Sequence, residues 1–325
     1  MKRIDEYWYR RSLWLWLLWP LSVLFCLLVV LRRQFYRAGI LHSARVAVPV
    51  IVVGNITVGG SGKTPLVLWL AEYLQRHGYS PGLISRGYGG EAAHWPQTVN
   101  AESDPRVVGD EALLLARRSG CPMVVGPDRV AAATQLLAQH NVNIIISDDG
   151  LQHYHLRRDI EIAVLDGERR LANGLCLPAG PLREPPVRLK SVDFIVCNGE
   201  GRHGEWAMQL EAGEALPLIG GEGKPVSDFS SSPVHAVAGI GNPKRFFASL
   251  RTLGLEPIEH PFPDHHPFRK GELEFGDNLP VLMTEKDAVK YLNYAGERHW
   301  YLPVNTRLPH EFGKRLLAAL ENLHG

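Results

Sequence analysis

The chain is poor in the features that mark several common classes of function. Only four of its 325 residues are cysteine: Cys26, Cys121, Cys176 and Cys197. No two form a C-x-x-C pair and none shows metal-ligand spacing, so the simplest reading is reduced thiols in a cytosol-facing protein. Neither sign of charge is in excess: 35 Lys and Arg stand against 34 Asp and Glu, for a net charge of +1. That removes any bulk electrostatic case for a nucleic-acid partner. Repeats and low-complexity tracts are missing as well. What remains is a globular composition with length enough for two domains.

The N-terminus departs from that composition. Residues 13–31 (LWLWLLWPLSVLFCLLVVL) run for 19 positions without a charge. As a helix this run would measure about 28 Å, close to the ~30 Å hydrocarbon core of a bilayer. Tyr7, Trp8, Tyr9, Arg10 and Arg11 precede it, and Arg32, Arg33, Phe35, Tyr36 and Arg37 follow it. Aromatic and basic flanks suit a membrane interface. The run lacks the small-residue cleavage site of an ordinary signal peptide. Apolar residues on every face argue against a soluble core helix. Pro20 and cations at both ends leave open whether it spans. The expectation is membrane association through residues 1–37.

The next stretch, VIVVGNITVGGSGKTPLVLWLAEY, organises the chain. It reads as a β-branched strand at 50–53, a glycine-rich turn, and a helix from Lys63 to about Gly78 with Pro65 in its first turn. Such a turn curls backbone N–H groups around an anion, and the helix adds the positive end of its dipole. Thr57, Val58, Gly59, Gly60, Ser61, Gly62, Lys63 and Thr64 are the expected nucleotide-binding residues. Lys63 would reach the β- and γ-phosphates, and the Thr64 hydroxyl would hold Mg²⁺. The usual first glycine of the phosphate loop is replaced by Thr57, and Gly59 and Gly60 supply the flexibility.

Further strands are expected at 81–85, 123–125, 143–147, 160–165 and 192–197, alternating with helices at 109–118 and 128–140. Residues 91–105 are polar and read as loop. This alternation predicts a parallel sheet covered on both faces. The glycine- and serine-rich stretch 199–232 marks a boundary. The domains expected are a phosphate-loop domain at 38–205, a linker at 206–232 and a smaller α/β domain at 233–325. Within the last, strands fall at 234–240, 280–284 and 300–303, and helices at 244–253, 285–292 and 310–323. The final helix could fold back on the first domain.

In open parallel sheets, ligands sit beyond the carboxyl ends of strands. Asp148 and Asp149 stand at such an end, as metal-side carboxylates or as solvated turn residues. Arg183 and Glu184 are adjacent in the rigid LPAGPLRE segment. They could stabilise phosphoryl charge and complete a metal shell, or form a surface ion pair. In HPFPDHHPF, His265 with Asp264 and His266 could move a proton. Zinc is disfavoured there, because no helical i, i+4 ligand pair and no cysteine is near. Gln152, His153 and His155 could shape a pocket, and Arg86 and Tyr88 in SRGYGG could face an acceptor phosphate.

The runs VGNITVGGSGKTP, SRGYGG, VGDEALLLA, GPDR, SDDGLQH, PAGPLRE, FPDHHPF and TEKDAVK, in this order, resemble the tetraacyldisaccharide 4'-kinases, the lipid A 4'-kinases of Gram-negative bacteria. The resemblance covers nearly the whole chain, and Thr57 matches that family's own loop. It implies two α/β/α domains with largely parallel sheets, joined by a short two-stranded linker, the site lying in the cleft between them. The implied reaction transfers the γ-phosphate of ATP to the 4'-hydroxyl of tetraacyldisaccharide 1-phosphate, with Mg²⁺, on the cytoplasmic face of the inner membrane. Asp110 and His265 would activate the hydroxyl. Lys63 and Arg183 would serve the transferred phosphoryl group, and Thr64, Asp148, Asp149 and Glu184 the metal. Arg86, Tyr88, Arg129 and Gln152 would contact the acceptor. No protein partner is expected. The competing reading is a membrane-associated switch ATPase or GTPase acting through a protein partner. Deviant phosphate loops of that kind carry a lysine before Gly-Gly, where Val58 stands here, and the PDHH cluster would have no use.

Overall fold

The computed structural model describes Trp8 and residues 14–323. Tyr7, Tyr9, Arg10 and Arg11, expected at a membrane interface, lie outside the described residues. In chain order the elements are α1 (Trp14–Arg37), β1 (Val50–Gly54), α2 (Lys63–Arg76), β2 (Pro81–Ser85), β3 (Gln97–Val99), α3 (Pro105–Val108), α4 (Asp110–Ser119), β4 (Met123–Val125), α5 (Arg129–Gln139), β5 (Ile144–Asp148), β6 (Ile160–Asp166), β7 (Phe194–Asn198) and β8 (Trp206–Ala212). They continue as β9 (Leu216–Pro217), β10 (Val234–Ala238), α6 (Pro243–Thr252), β11 (Pro257–Pro261), β12 (Val281–Thr284), α7 (Glu285–Tyr291), β13 (His299–Leu302), β14 (Val304–Arg307) and α8 (His310–Glu321).

The first domain is built on a nine-stranded sheet in the order β14-β8-β7-β6-β1-β5-β2-β4-β3. Its inner strands run parallel, and each edge strand is antiparallel. All five residues of β1 are buried, as a β-branched run covered on both faces should be. On one face Leu66, Leu70, Leu113 and Leu115 pack on Ile51 and Ile146. On the other, Ala132, Leu136 and Leu151 pack on Val52 and Ile145. The chain reaches β2 on one side of β1 and crosses from β5 to β6 on the other. The carboxyl end of β1 is therefore a switch point, where such sheets bind ligands.

The second domain has a five-stranded sheet, β11-β10-β12-β13-β9, parallel except for β9. Residues 206–212, expected to begin the linker, form β8 and extend the large sheet. The chain returns through β14, antiparallel to β8. These two strands connect the domains, and Gly213 N donates to Pro303 O at 2.9 Å where they leave the first. α8 then lies on the first domain: Phe312 contacts the rings of Trp69 and Phe194, each at 5.5 Å. Gly313 passes so close to α2 that an added Cβ would sit 2.4 Å from the Tyr73 ring, so a larger residue would have to push that ring aside. β3 lies inside the stretch expected to be loop.

α1 is not a core helix. Only 6% of its apolar window is buried, and Trp16, Leu17 and Leu28 face outward. One narrow stripe touches the body. Ser22 Oγ donates to Cys176 O at 2.5 Å, Arg33 Nη2 to Ser191 Oγ at 2.6 Å, and the Tyr36 ring lies 5.8 Å from that of Tyr154.

Candidate active site

The phosphate loop connects β1 to α2 at the switch point. Gly62, the residue before α2, has φ 97°, and an added Cβ would come 2.7 Å from Asn198 Nδ2. Glycine is therefore required twice over at this position. A second segment braces the loop: Val58 N donates to Pro181 O at 2.9 Å and Arg183 N to Ile56 O at 2.7 Å. Asn198 Nδ2 donates to Ser61 O at 3.3 Å. Ser61 Oγ is buried without a partner among the described residues, as a group reserved for a ligand would be.

Asp148 and Asp149 sit beside this loop and behave differently. Asp149, with φ 48°, lies 3.6 Å from Lys63 Nζ and accepts from Arg183 Nη1 at 3.0 Å. Burial works to raise its pKa, but Lys63 and Arg183 outweigh burial and hold it below the usual range. Asp148 is buried, and its Oδ1 has no partner among the described residues. Burial, with the carboxylates of Glu111 and Asp149, pushes its pKa up to about 7. Its Oδ2 accepts from Ser85 Oγ at 3.4 Å, and a buried carboxylate with one free oxygen beside other carboxylates suits a cation. Among the described residues no three His, Cys, Asp or Glu side chains cluster as a metal cage. That fits Mg²⁺, which takes one or two carboxylates and completes its shell with phosphate and water.

Arg183 and Glu184 point in different directions. Arg183 faces Asp149. Glu184 is buried and accepts from Gln152 Nε2 at 2.7 Å and from the Tyr154 hydroxyl, with Arg188 Nε 3.4 Å away. Both its oxygens are satisfied by protein. Glu184 is thus a brace behind the loop, and Gln152, which also donates to Asn55 O at 3.1 Å, belongs to the same brace.

The second constellation lies across the cleft. Asp110 opens α4 at 5% exposure, and its Oδ1 accepts from Glu111 N at 2.9 Å. His265 Nδ1 stands 3.0 Å from Asp110 Oδ2. The hydrogen bond that His265 Nδ1 donates to Asp110 raises the His265 pKa, against burial and the nearby Lys286 cation. Burial alone would raise Asp110, but His265 and Lys286 bring it below the usual range. The SRGYGG loop roofs this pair: the Tyr88 ring meets His265 edge-on at 5.2 Å. Two glycines let that loop approach the turn before α4. An added Cβ on Gly90 would meet Val107 O at 2.4 Å, and one on Gly109 would meet Tyr88 O at 2.5 Å.

Arg129 begins α5 at 3% exposure. Its Nη1 donates to Gly126 O at 2.6 Å, while Nε and Nη2 have no partner among the described residues. Burial lowers its pKa to about 10. Burial also takes His153 down to about 4, helped by Arg129 and Arg86, so that imidazole is neutral near pH 7. Arg86 is exposed nearby. An arginine buried with two free donor nitrogens is set to receive an anion.

The matching family model covers residues 14–321 and describes the tetraacyldisaccharide-1-P 4'-kinases (LpxK). The chain belongs to this family. The tetraacyldisaccharide 4'-kinase of Nitrosococcus oceani is 55% identical over 98% of this chain and 94% of its own length. That of Alkalilimnicola ehrlichii is 54% identical over 94% and 92%. The crystal structure of LpxK from Aquifex aeolicus in complex with ATP superposes with a TM-score of 0.82 at 29% identity, covering 95% of this chain and 100% of that one.

Two residues of this family member were not visible as site residues in the sequence. Lys286, from TEKDAVK, places Nζ 3.0 Å from Glu111 Oε1, 3.3 Å from Asp264 Oδ1 and 3.3 Å from His265 Nε2. Burial works against its charge, but Glu111, Asp110 and Asp264 raise its pKa, so it stays a cation. Arg245, on α6, reaches across to Asp166 Oδ2 and Asn198 Oδ1, each at 3.3 Å. Through Asn198 it touches the phosphate loop. Both residues tie the two domains together around the cleft.

Proposed function

We infer that this chain transfers the γ-phosphate of ATP to the 4'-hydroxyl of tetraacyldisaccharide 1-phosphate, giving the bisphosphorylated lipid A precursor. The observation that carries the reading, beyond family membership, is the Asp110–His265 pair in a cleft that also holds a phosphate loop. A nucleotide switch needs no such pair, whereas transfer to a sugar hydroxyl needs a base.

The roles follow from partners and charge. Asp110 can only accept from His265 Nδ1, which fixes the proton there and leaves Nε2 basic. The cation of Lys286 facing Nε2 favours the same tautomer. His265 Nε2 takes the proton of the 4'-hydroxyl, and Asp110 stabilises the imidazolium that forms. The glycine-rich loop 57–62 cradles the polyphosphate of ATP, and Lys63 steadies the transferring group. Arg183 is positioned to leave Asp149 for that group when nucleotide arrives, and Arg129 and Arg86 receive the acceptor's anionic portion, with Tyr88 beside it. Thr64, Asp148 and Asp149 are the residues that would hold Mg²⁺, and the cation when bound neutralises charge on the phosphate oxygens. Catalysis here is mostly positioning and charge neutralisation.

The acceptor is a lipid, so the site must meet a bilayer. α1, with one stripe on the body and its other faces apolar and outward, lies in the cytoplasmic leaflet of the inner membrane and keeps the cleft at the headgroup level. The test is transfer from γ-labelled ATP with Mg²⁺ and detergent micelles, with and without the lipid acceptor. Label in the lipid supports the reading. Hydrolysis that ignores the lipid would replace it with the switch ATPase.

A further inference from the structure

Away from the catalytic cleft, α1 and the turn Pro186–Ser191 enclose a second opening of about 270 Å³. Its rim is cationic: Arg33 and Arg37 come from α1 and Lys190 from the turn. None of the three forms an ion pair among the described residues. Arg188 behind them is different, because Glu161 at 2.6 Å and Glu184 at 3.4 Å neutralise it. The remaining wall is apolar. Val29 and Val30 line it from α1, and Val187 faces them from the turn at 58% exposure. The opening continues into the outward apolar face of α1, where Leu27 and Leu28 are more than half exposed. One end is thus cationic and the other greasy, and Ser191 Oγ, already held by Arg33 at 2.6 Å, adds a hydroxyl at the join.

We propose that this opening is a binding site for an anionic glycerophospholipid. Its phosphate sits among Arg33, Arg37 and Lys190, and its acyl chains run along α1 past Val29 and Val187. Charge complementarity selects the headgroup: three cations with no ion-pair partner among the described residues attract an anionic lipid, and a zwitterionic lipid brings an ammonium that they repel. The two arginines suit a phosphate, which they can grip with paired N–H donors. A lipid bound here would mortar α1 to the body along a seam that protein contacts alone close at only a few points.

The proposal rests on the membrane reading of α1 but not on the kinase reaction, so its readout is lipid retention and not turnover. The full chain, purified in non-ionic detergent, is given phosphatidylglycerol and phosphatidylcholine of the same chain length in equal amounts, and retained lipid is counted by native mass spectrometry. Phosphatidylglycerol should be held in preference. Arg37→Ala and Lys190→Ala, both at exposed positions that the fold does not need, should each weaken retention about fivefold. The triple change with Arg33→Ala should weaken it about a hundredfold. Removing Lys244, Arg307 and Lys314 instead, which are exposed elsewhere, should leave it unchanged. Inorganic phosphate at millimolar concentration should fail to displace the lipid. Equal retention of the two lipids, retention indifferent to Arg37 and Lys190, or ready displacement by phosphate would each overturn the proposal.

Discussion

His265 Nδ1 lies 3.0 Å from Asp110 Oδ2, although 155 residues separate them in the chain. One belongs to the loop after β11 in the second domain, the other to the first turn of α4 in the first. His265 holds this position with φ 60°, a conformation that costs a non-glycine residue on the order of 1–3 kcal/mol. The fold maintains that strain at the contact that closes the cleft.

The pair should write itself into the pH profile. A base must be neutral, so the rate should fall as pH drops through the His265 pKa, which Asp110 raises above the ordinary value. Asp110→Asn removes the cause and should move the acid limb of kcat/KM to lower pH. Lys286→Met removes a cation that opposes protonation and should move it to higher pH. A stability effect follows with its own sign. Because the folded pKa is raised, the His265 contribution is fully present below about pH 6.5 and fades as pH rises through the folded value. His265→Gln should abolish that part of the pH dependence of unfolding. Limbs that both variants leave in place would remove His265 from proton transfer.

Lys63→Ala should lower kcat by at least 100-fold with the melting temperature nearly unchanged. The fold does not need the lysine, because Asp149 keeps Arg183 at 3.0 Å. Retained turnover would take the phosphate loop out of the mechanism.

Asp148→Asn should separate stability from activity. A buried carboxylate with one oxygen unsatisfied destabilises the metal-free protein, so the neutral isostere should melt a few degrees higher in EDTA. Stabilisation of the parent protein by Mg²⁺ with nucleotide should be weakened in the variant, and kcat should collapse. A variant that melts lower in EDTA would show that the charge is compensated without a cation.

Deleting residues 1–31 should spare the core, because the described α1 residues within it mostly face outward. Activity should fall far more on bilayer-embedded acceptor than on detergent-dispersed acceptor. Equal loss in both assays would assign α1 to folding.

Much of this architecture was legible in the sequence, and the misses have physical causes. The central strand announced itself as the β-branched run 50–53, and the helices at 109–118, 128–140 and 285–292 were legible to within a residue. β8 and β14 were not. They form an antiparallel ribbon in which only Met208 is buried, so no buried run marks either strand. Arg183 and Glu184 were read together because they are neighbours. The chain bends at these two residues, so Arg183 meets Asp149 while Glu184 is buried against Gln152 and Tyr154. Lys286 looked like an ordinary charge on a short helix. Its importance comes from Glu111, 175 residues away, and from the domain packing that brings the two together.

The most direct test of the account is a double-mutant cycle on Asp110 and His265, read as kcat for phosphoryl transfer to the lipid. Asp110→Asn and His265→Ala should each slow transfer by about 10²–10⁴. If the two act as one unit, the double variant should be little slower than the worse single variant. Losses that multiply would mean that the residues work independently, and the account of proton transfer between the two domains would be wrong.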